Sequence, residues 1–274
     1  NGACSRYAPL LLGQLGCRFV EMNVEPDLPF PHKPEPAAEN LSQLRALVRA
    51  AGAHAGFCFD ADGDRLGIVC EDGHAPGEEM TICVATDMIL SRGDAGPVVT
   101  NLCTTQAVDD LARAHGRRVI HTGIGQAYIS EGALNNRACV AGEGSGGCLF
   151  PKLNYANDSL ATMAHILEHV ARRGSLAGIV AGIPQYAMAK ATIACPTQHA
   201  FSALEELRGE GEPDWADPQR TDLTDGIKYQ DDRRWVYIRV SATEPLIRVL
   251  SEAPDRAEAE ALAEEYVTAV RRLV

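Results

Sequence analysis

Apolar runs of strand length alternate with stripes of helical spacing along the early and middle chain. Residues 17–24 (CRFVEMNV) read as a strand, followed by a Pro-rich loop at 26–36. Asn40 then stands as the N-cap of a helix whose stripe is Leu41, Leu44, Leu47 and Val48. Residues 55–59 and 66–70 are short apolar runs that read as buried strands flanking an acidic loop. The rhythm repeats with strands at 97–102, 118–121 and 138–141 and helices at 104–115 and 126–134. Asp158 caps a long helix with the stripe Leu160, Met163, Ala164, Leu167 and Val170. Such alternation predicts sheets with helical cover.

Beyond an expected linker near 173–184 the pattern changes. A strand at 186–195 and a helix at 198–207 precede a polar loop at 209–222. Strands at 227–230, 235–240 and 247–252 then follow with no helix between them. A last helix opens on Asp255-x-x-Glu258 and buries Ala259, Leu262, Tyr266, Val267 and Val270. The expected fold class is α/β: two mixed-sheet α/β domains, then a small antiparallel α+β C-terminal domain. The boundaries fall at 1–76, 77–180 and 181–274.

Composition narrows the classes. With 25 Lys+Arg and 37 Asp+Glu in 274 residues, the formal net charge is −12. That balance argues against nucleic acid as a partner, since phosphates need a basic face. No apolar run approaches the roughly 18–20 residues of a membrane span, so no membrane partner is expected. Nine cysteines lack any C-x-x-C spacing and read as reduced, buried thiols of a cytoplasmic protein, not as a zinc site. The first residues are Asn1-Gly2-Ala3, which reads as a processed chain or a piece of a longer one.

Three loops carry candidate chemistry. Asp60-Ala61-Asp62-Gly63-Asp64-Arg65 follows an apolar strand. Alternate carboxylates can converge on one hard cation, and Arg65 beside them suits a phosphate. An EF-hand, a DxDxT-type phosphatase loop and a solvated acidic turn are the competing readings. Arg65 at the sixth EF-hand position and Asp64 in place of the Thr count against the first two. Gly142-Glu143-Gly144-Ser145-Gly146-Gly147 offers a carboxylate and a hydroxyl on a glycine-rich loop, a set that suits sugar hydroxyls, though a plain turn fits as well. The segment 239–248 (RVSATEPLIR) holds two guanidiniums and two hydroxyls, the inventory for wrapping a phosphate dianion; a polar hairpin turn is the alternative.

In that order, D-x-D-G-D-R, G-E-x-S-G and R-x-S-x-T-E-P-x-x-R resemble the α-D-phosphohexomutases. That superfamily holds the phosphomannomutases, phosphoglucomutases and phosphoglucosamine mutases. FPHKPEPAAENL, VVTNLCTTQAVDDLA, HTGIGQAYI and GEGSGGCLFPKLNYANDSL are similar to further family segments, so the resemblance runs along the whole chain. Gly123 departs from the Lys of T-K-x-G, and Ala242 from the usual Gly or Asn.

The resemblance implies roles residue by residue. Asp60, Asp62 and Asp64 would ligate Mg²⁺, with Arg65 as the catalytic group beside the reacting phosphoryl. Glu143 and Ser145 would hold the sugar O3 and O4 hydroxyls. Arg239, Ser241, Thr243 and Arg248 would grip the other phosphate. The implied enzyme is an isomerase (phosphomutase) interconverting 6- and 1-phosphates of a hexose or hexosamine through an enzyme phosphoserine and a bisphosphate. The GEGSGG form leans towards phosphoglucosamine. No serine loop of the T-A-S-H-N type is present, and NGACSRYAPLLLGQLG resembles the family's second domain after its first strand. The chain therefore reads as lacking the N-terminal phosphoserine domain, its expected partner in the same protein, and as inactive alone. The alternative is a non-catalytic sugar-phosphate-binding relative. For His32 and His121, near the motifs, proton transfer and a structural role both stay open.

Overall fold

Residues 17–24, expected as a strand, form none: Phe19 and Val20 lie 41% and 63% exposed on irregular chain. Their alternation has the right period, but a strand persists only where a neighbour takes up its N–H and C=O groups, and none pairs here. The computed structural model describes all 274 residues and divides into two units, Asn1–Pro184 and Gln185–Val274.

The first unit opens with helix α1 (Tyr7–Gln14). A 3₁₀ turn (Ala38–Leu41) then leads into α2 (Ser42–Ala51). Asn40 does not cap α2; its amide donates to the Glu35 carbonyl at 2.9 Å, and Leu41 occupies the cap. Strands β1 (Ala55–Phe59) and β2 (Leu66–Cys70) pair antiparallel, Phe59 opposite Leu66. β2 is buried throughout, whereas β1 is mostly half-buried.

Helix α3 (Glu79–Ser91) has no counterpart in the sequence reading. Ten of its residues are buried, from Met80 round to Leu90, so it lacks the polar face whose contrast would reveal a helical period. Around it stand β3 (Val98–Asn101), α4 (Ala107–Ala114), β4 (Val119–Thr122), α5 (Gln126–Asn136), β5 (Val140–Gly142) and β6 (Cys148–Leu149). These strands form one sheet in the order β4-β3-β5-β6. β3 runs parallel to both β4 and β5, and β6 is antiparallel to β5.

Helix α6 (Ser159–Arg173) starts as expected, with the Asp158 carboxylate accepting from the Ala161 N–H at 2.8 Å. Its buried face is turned from the expected stripe: Ser159, Thr162, Met163, Ile166, His169 and Val170 point inward. Polar residues go inside here because they have partners. Thr162 Oγ1 donates to the Asp158 carbonyl, and His169, 1% exposed, sits 2.7 Å from Asp87 on α3. A short α7 (Leu176–Ala181) closes the unit.

The hydrogen bond from His169 holds the Asp87 carboxyl below the usual carboxylate range, against the opposing effect of burial. A carboxylate with a lowered folded pKa contributes stability that is complete above its ordinary value near 3.8 and is lost as pH falls below it. Asp87→Asn is therefore expected to flatten the acid limb of the first unit's stability below about pH 4. Amide exchange of α3 against pH reads this; an unchanged acid limb would show that the pair carries none of it.

In the second unit, β7 (Ala187–Ala194), α8 (Thr197–Gly209), β8 (Ile227–Gln230), β9 (Trp235–Val240), β10 (Leu246–Ala253) and α9 (Arg256–Arg271) appear close to the sequence expectations. The sheet is antiparallel throughout, in the order β7-β10-β9-β8. Ala200, Leu204 and Leu207 of α8 and Leu262, Tyr266 and Val270 of α9 pack on Ile193, Ile238, Ile247 and Val249 of the sheet. Asp255 caps α9 by accepting from the Glu258 N–H at 2.9 Å.

None of the nine cysteines forms a disulfide, and six are buried. Burial pushes the Cys58 thiol up to about 11 and Cys70 and Cys148 up to about 12, which keeps them protonated and inert. No helix is long and apolar enough to cross a membrane.

Candidate functional site

The acidic loop is the turn of the β1–β2 hairpin. β1 delivers Asp60 into the interior, where the residue is 1% exposed. Its Oδ1 accepts from the N–H groups of Gly63 (3.0 Å) and Arg65 (3.1 Å), and its Oδ2 from Arg65 Nε at 2.7 Å. One side chain thereby folds the loop back on itself. Gly63 has φ +80°, and a Cβ there would meet Cys4 Sγ at 2.5 Å. Ser159, at the start of α6, donates to the Gly63 carbonyl and ties the loop to the rest of the unit.

Carboxylate oxygens of Asp60, Asp62 and Asp64 lie within 4.8 Å of one another, with Asp62 exposed. Burial is the largest influence on Asp60 and opposes its ionisation. The hydrogen bonds and charge of Arg65 outweigh it and hold the carboxyl below its ordinary range. Asp64 goes the other way: burial first, then the hydrogen bond and charge of Asp60 and the charge of Asp62, push it up to about 6. Three crowded carboxylates of which one resists ionisation fit a hard divalent cation, which oxygen ligands hold and whose charge relieves the crowding.

The glycine-rich loop leaves β5 at Gly142 and returns through β6, with Gly142 opposite Cys148. Within it the Glu143 N–H donates to the Gly147 carbonyl at 2.9 Å, and the Gly146 N–H to the Glu143 carbonyl at 3.2 Å. The two loops are joined: the Leu66 N–H donates to the Gly146 carbonyl at 3.1 Å, and Arg65 bridges Gly147 antiparallel. Gly146 has φ +94°, and a Cβ would stand 2.6 Å from the Leu66 carbonyl oxygen, so a side chain would push the loops apart. Glu143 and Ser145 are half-buried. Glu143 Oε1 accepts from Ser145 Oγ at 2.8 Å and Oε2 from Asn101 Nδ2 at 2.9 Å. The Gly144 N–H donates to Thr104 Oγ1 at 3.3 Å.

Sequence reasoning missed Cys4, Asn101, Thr104 and Ser159 in this site. Asn101 did carry a signal, being a polar residue at the carboxyl end of an apolar parallel strand, where open α/β sheets bind ligands. Both histidines near the motifs have local partners. His121 lies 2.9 Å from Asp109, and Nδ1 of the half-buried His32 lies 2.6 Å from the Lys33 carbonyl.

In the second unit, Arg239 and Arg248 stand directly opposite each other on β9 and β10. Like charges so placed repel and favour an anion between them. Glu244 pairs Arg248 at 2.7 Å, and Asp225 lies 3.9 Å from Arg239. Buried Ser241 shapes the turn, its Oγ accepting from the Thr243 and Glu244 N–H groups at 3.5 and 3.3 Å. Thr243 is exposed at the tip.

Known families and proteins match this chain along its length. Residues 1–73 match domain II of the phosphoglucomutase/phosphomannomutase family, 76–186 its α/β/α domain III and 194–269 its C-terminal domain. A phosphoglucomutase/phosphomannomutase of Thermococcus kodakarensis is 33% identical over 97% of this chain and 57% of its own length. A probable phosphoglucosamine mutase of Methanopyrus kandleri is 31% identical over 100% of this chain and 60% of its own. The chain thus spans well under two thirds of the relatives' length. Among solved structures, a phosphoglucomutase/phosphomannomutase family protein of Burkholderia thailandensis superposes with a TM-score of 0.88, at 26% identity over 99% of this chain and 58% of its own. An N-acetylphosphoglucosamine mutase of Aspergillus fumigatus, solved with GlcNAc-6P and magnesium, shares the fold at a TM-score of 0.57 and 15% identity over 80% of this chain.

Proposed function

Because this chain belongs to the phosphoglucomutase/phosphomannomutase family, we propose that it forms the metal-, sugar- and phosphate-binding portion of a phosphohexomutase. The division into 1–76, 77–180 and 181–274 is part of this reading, supported by the residues over which the family's domains match. The substrate class is a hexose or hexosamine phosphate. The printed names of the relatives and the GlcNAc-6P complex of the Aspergillus protein support it.

Each loop then has a task. Asp60, Asp62 and Asp64 hold Mg²⁺, which when bound neutralises charge on the reacting phosphoryl group. Arg65 donates to that group's oxygens. Glu143 and Ser145 take the O3 and O4 hydroxyls. Arg239, Ser241, Thr243 and Arg248 bind the phosphate that does not react. In the reaction the family resemblance implies, an enzyme phosphoserine gives its phosphoryl to the free hydroxyl of the sugar monophosphate. The resulting bisphosphate reorients and returns its other phosphoryl to the serine oxygen, so the phosphoryl count is conserved.

One observation carries the reading. The Leu66–Gly146 hydrogen bond and the Arg65–Gly147 bridge lock the carboxylate loop to the loop bearing Glu143. Metal and sugar sites are thereby held in one frame, as transfer to a positioned hydroxyl requires. Calorimetric titration of the 274-residue chain with glucose 6-phosphate and Mg²⁺ tests it. Binding is expected, weakened about 10- to 100-fold by Glu143→Ala through loss of charged hydrogen bonds. No turnover is expected from this chain with a hexose 1,6-bisphosphate activator. Absence of binding would sink the reading, and turnover would refute the assignment of the nucleophile elsewhere. Binding without turnover by the complete native protein would favour the non-catalytic alternative.

A further inference from the structure

An apolar groove of about 640 Å³ lies in the first unit between β1 and residues 17–24. Protein interiors keep few voids larger than a water molecule, so a space of this size calls for an occupant. Leu44, Leu47 and Val48 of α2 line it, with Leu12 of α1 and Met163 and Leu167 of α6. Both long walls are chain without a partner on the groove side. β1 meets only β2. The Asp60 N–H donates to the Arg65 carbonyl at 3.3 Å, in register with the β1–β2 ladder. By strand alternation Ala55, Phe57 and Phe59 then turn their N–H and C=O groups away from β2. Residues 17–24 pair with no strand at all, although they carry a strand's alternation.

Asn1 fixes the direction of an occupant. Its backbone nitrogen donates to the Asn23 carbonyl, and its Oδ1 accepts from the Glu25 N–H at 3.0 Å. On the other side the Ala3 N–H donates to the Ala61 carbonyl at 2.9 Å, just past the end of β1. Asn1 thus stands where both walls end. An extended segment whose last residue joins Asn1 runs parallel to both walls, and α1 becomes the crossover that a parallel pair requires. We propose that the groove takes such a strand, about six residues long at about 3.3 Å each, as the middle one of three. Packed among α1, α2 and α6, it is apolar on both faces and rich in Val and Ile. The Thermococcus and Methanopyrus relatives have the length to supply it, since this chain spans 57% and 60% of them.

Three extensions of about six residues placed directly ahead of Asn1 test this. One is built of Val and Ile. The second carries Pro at its centre, which has no N–H for the ladder. The third carries two central Lys, whose ammonium groups are costly among apolar helices. With the Val/Ile extension, amides of residues 17–24 and of Phe57 and Phe59 are expected to exchange about 100-fold more slowly than in the unextended chain. With Pro or Lys the change is expected to stay within about threefold.

Amides that exchange as fast with the Val/Ile extension as without it would overturn the proposal. Equal protection by all three extensions would do the same, since any added tail would then serve. Should the fused strand aggregate, the same residues are supplied as a free peptide with Lys at its N-terminal end and a nitroxide at its C-terminal end. Parallel entry is expected to broaden the amide resonances of Gly2, Asn23 and Ala61 more strongly than those of Arg18 and Ala55. The reverse pattern, or no broadening, refutes it. Protection of 17–24 in the unextended chain that grows with protein concentration, with a dimer in sedimentation, would give the groove to a second copy and overturn the strand at Asn1.

Discussion

Asp60→Ala is expected to abolish Mg²⁺ binding and to destabilise the first unit by about 3 kcal/mol. The carboxylate is buried and accepts from two backbone N–H groups as well as from Arg65 Nε. Its removal leaves the N–H groups of Gly63 and Arg65 without that acceptor, at about 1–3 kcal/mol for each buried group left unsatisfied. Arg65 also loses its nearest counter-charge, while Asp64 stays 3.7 Å away.

Two further variants separate folding from binding. Asp60→Asn keeps the Oδ1 acceptor but turns an amide NH₂ towards Arg65 Nε, so a smaller loss of about 1–2 kcal/mol is expected with Mg²⁺ binding still lost. Asp62 is exposed and has no part in folding the loop. Asp62→Asn should leave stability within about 0.5 kcal/mol while weakening Mg²⁺ binding about tenfold or more. Urea unfolding and Mg²⁺ calorimetry read the two quantities independently. Undiminished Mg²⁺ affinity in either asparagine variant would remove the metal from this loop.

Trp235→Ala is expected to unfold the second unit. The indole is fully buried, with its Nε1 donating to Glu252 Oε1 across the β9–β10 ladder at 2.8 Å. The ammonium of buried Lys228 sits 4.7 Å over the ring. Truncation costs about 3–5 kcal/mol for the cavity alone. It also takes the indole N–H from a buried carboxylate and the ring face from a buried ammonium, adding about 1–3 kcal/mol. A total near 5 kcal/mol or more matches the whole stability of many domains. The strand that bears Arg239 would be lost with it, and phosphate binding at this hairpin too. Trp235→Phe keeps the apolar ring and should lose only about 1–3 kcal/mol. Far-UV circular dichroism and amide exchange of β9 follow the change. An alanine variant folded with less than about 2 kcal/mol lost would refute the argument.

The second unit was nearly legible from its sequence because β7 and β10 alternate, α8 and α9 each bury one stripe, and the order β8-β9-β10 follows from short antiparallel connections; only the place of β7 beside β10 needed the tertiary structure. The first unit resisted where burial is not one-sided. α3 is apolar all round, and α6 hides Thr162 and His169 because Asp158 and Asp87 wait for them. Residues 17–24 have a strand's alternation and no strand beside them.

The candidate site divides along the same line. Residue order alone determined the three loops, since each packs its chemistry into six to ten consecutive positions: the carboxylates and arginine of 60–65, the glycines with Glu143 and Ser145, and the paired arginines of 239–248. Only the tertiary structure decided what holds them. It set Asn101 and Ser145 on the two oxygens of Glu143, Ser159 on Gly63 and the Leu66 N–H on Gly146. Apart from Ser145, two residues from Glu143, those partners are remote along the chain. A hydrogen bond is directional and short, so which donor meets which oxygen is fixed only after the core has packed and brought the strand ends together.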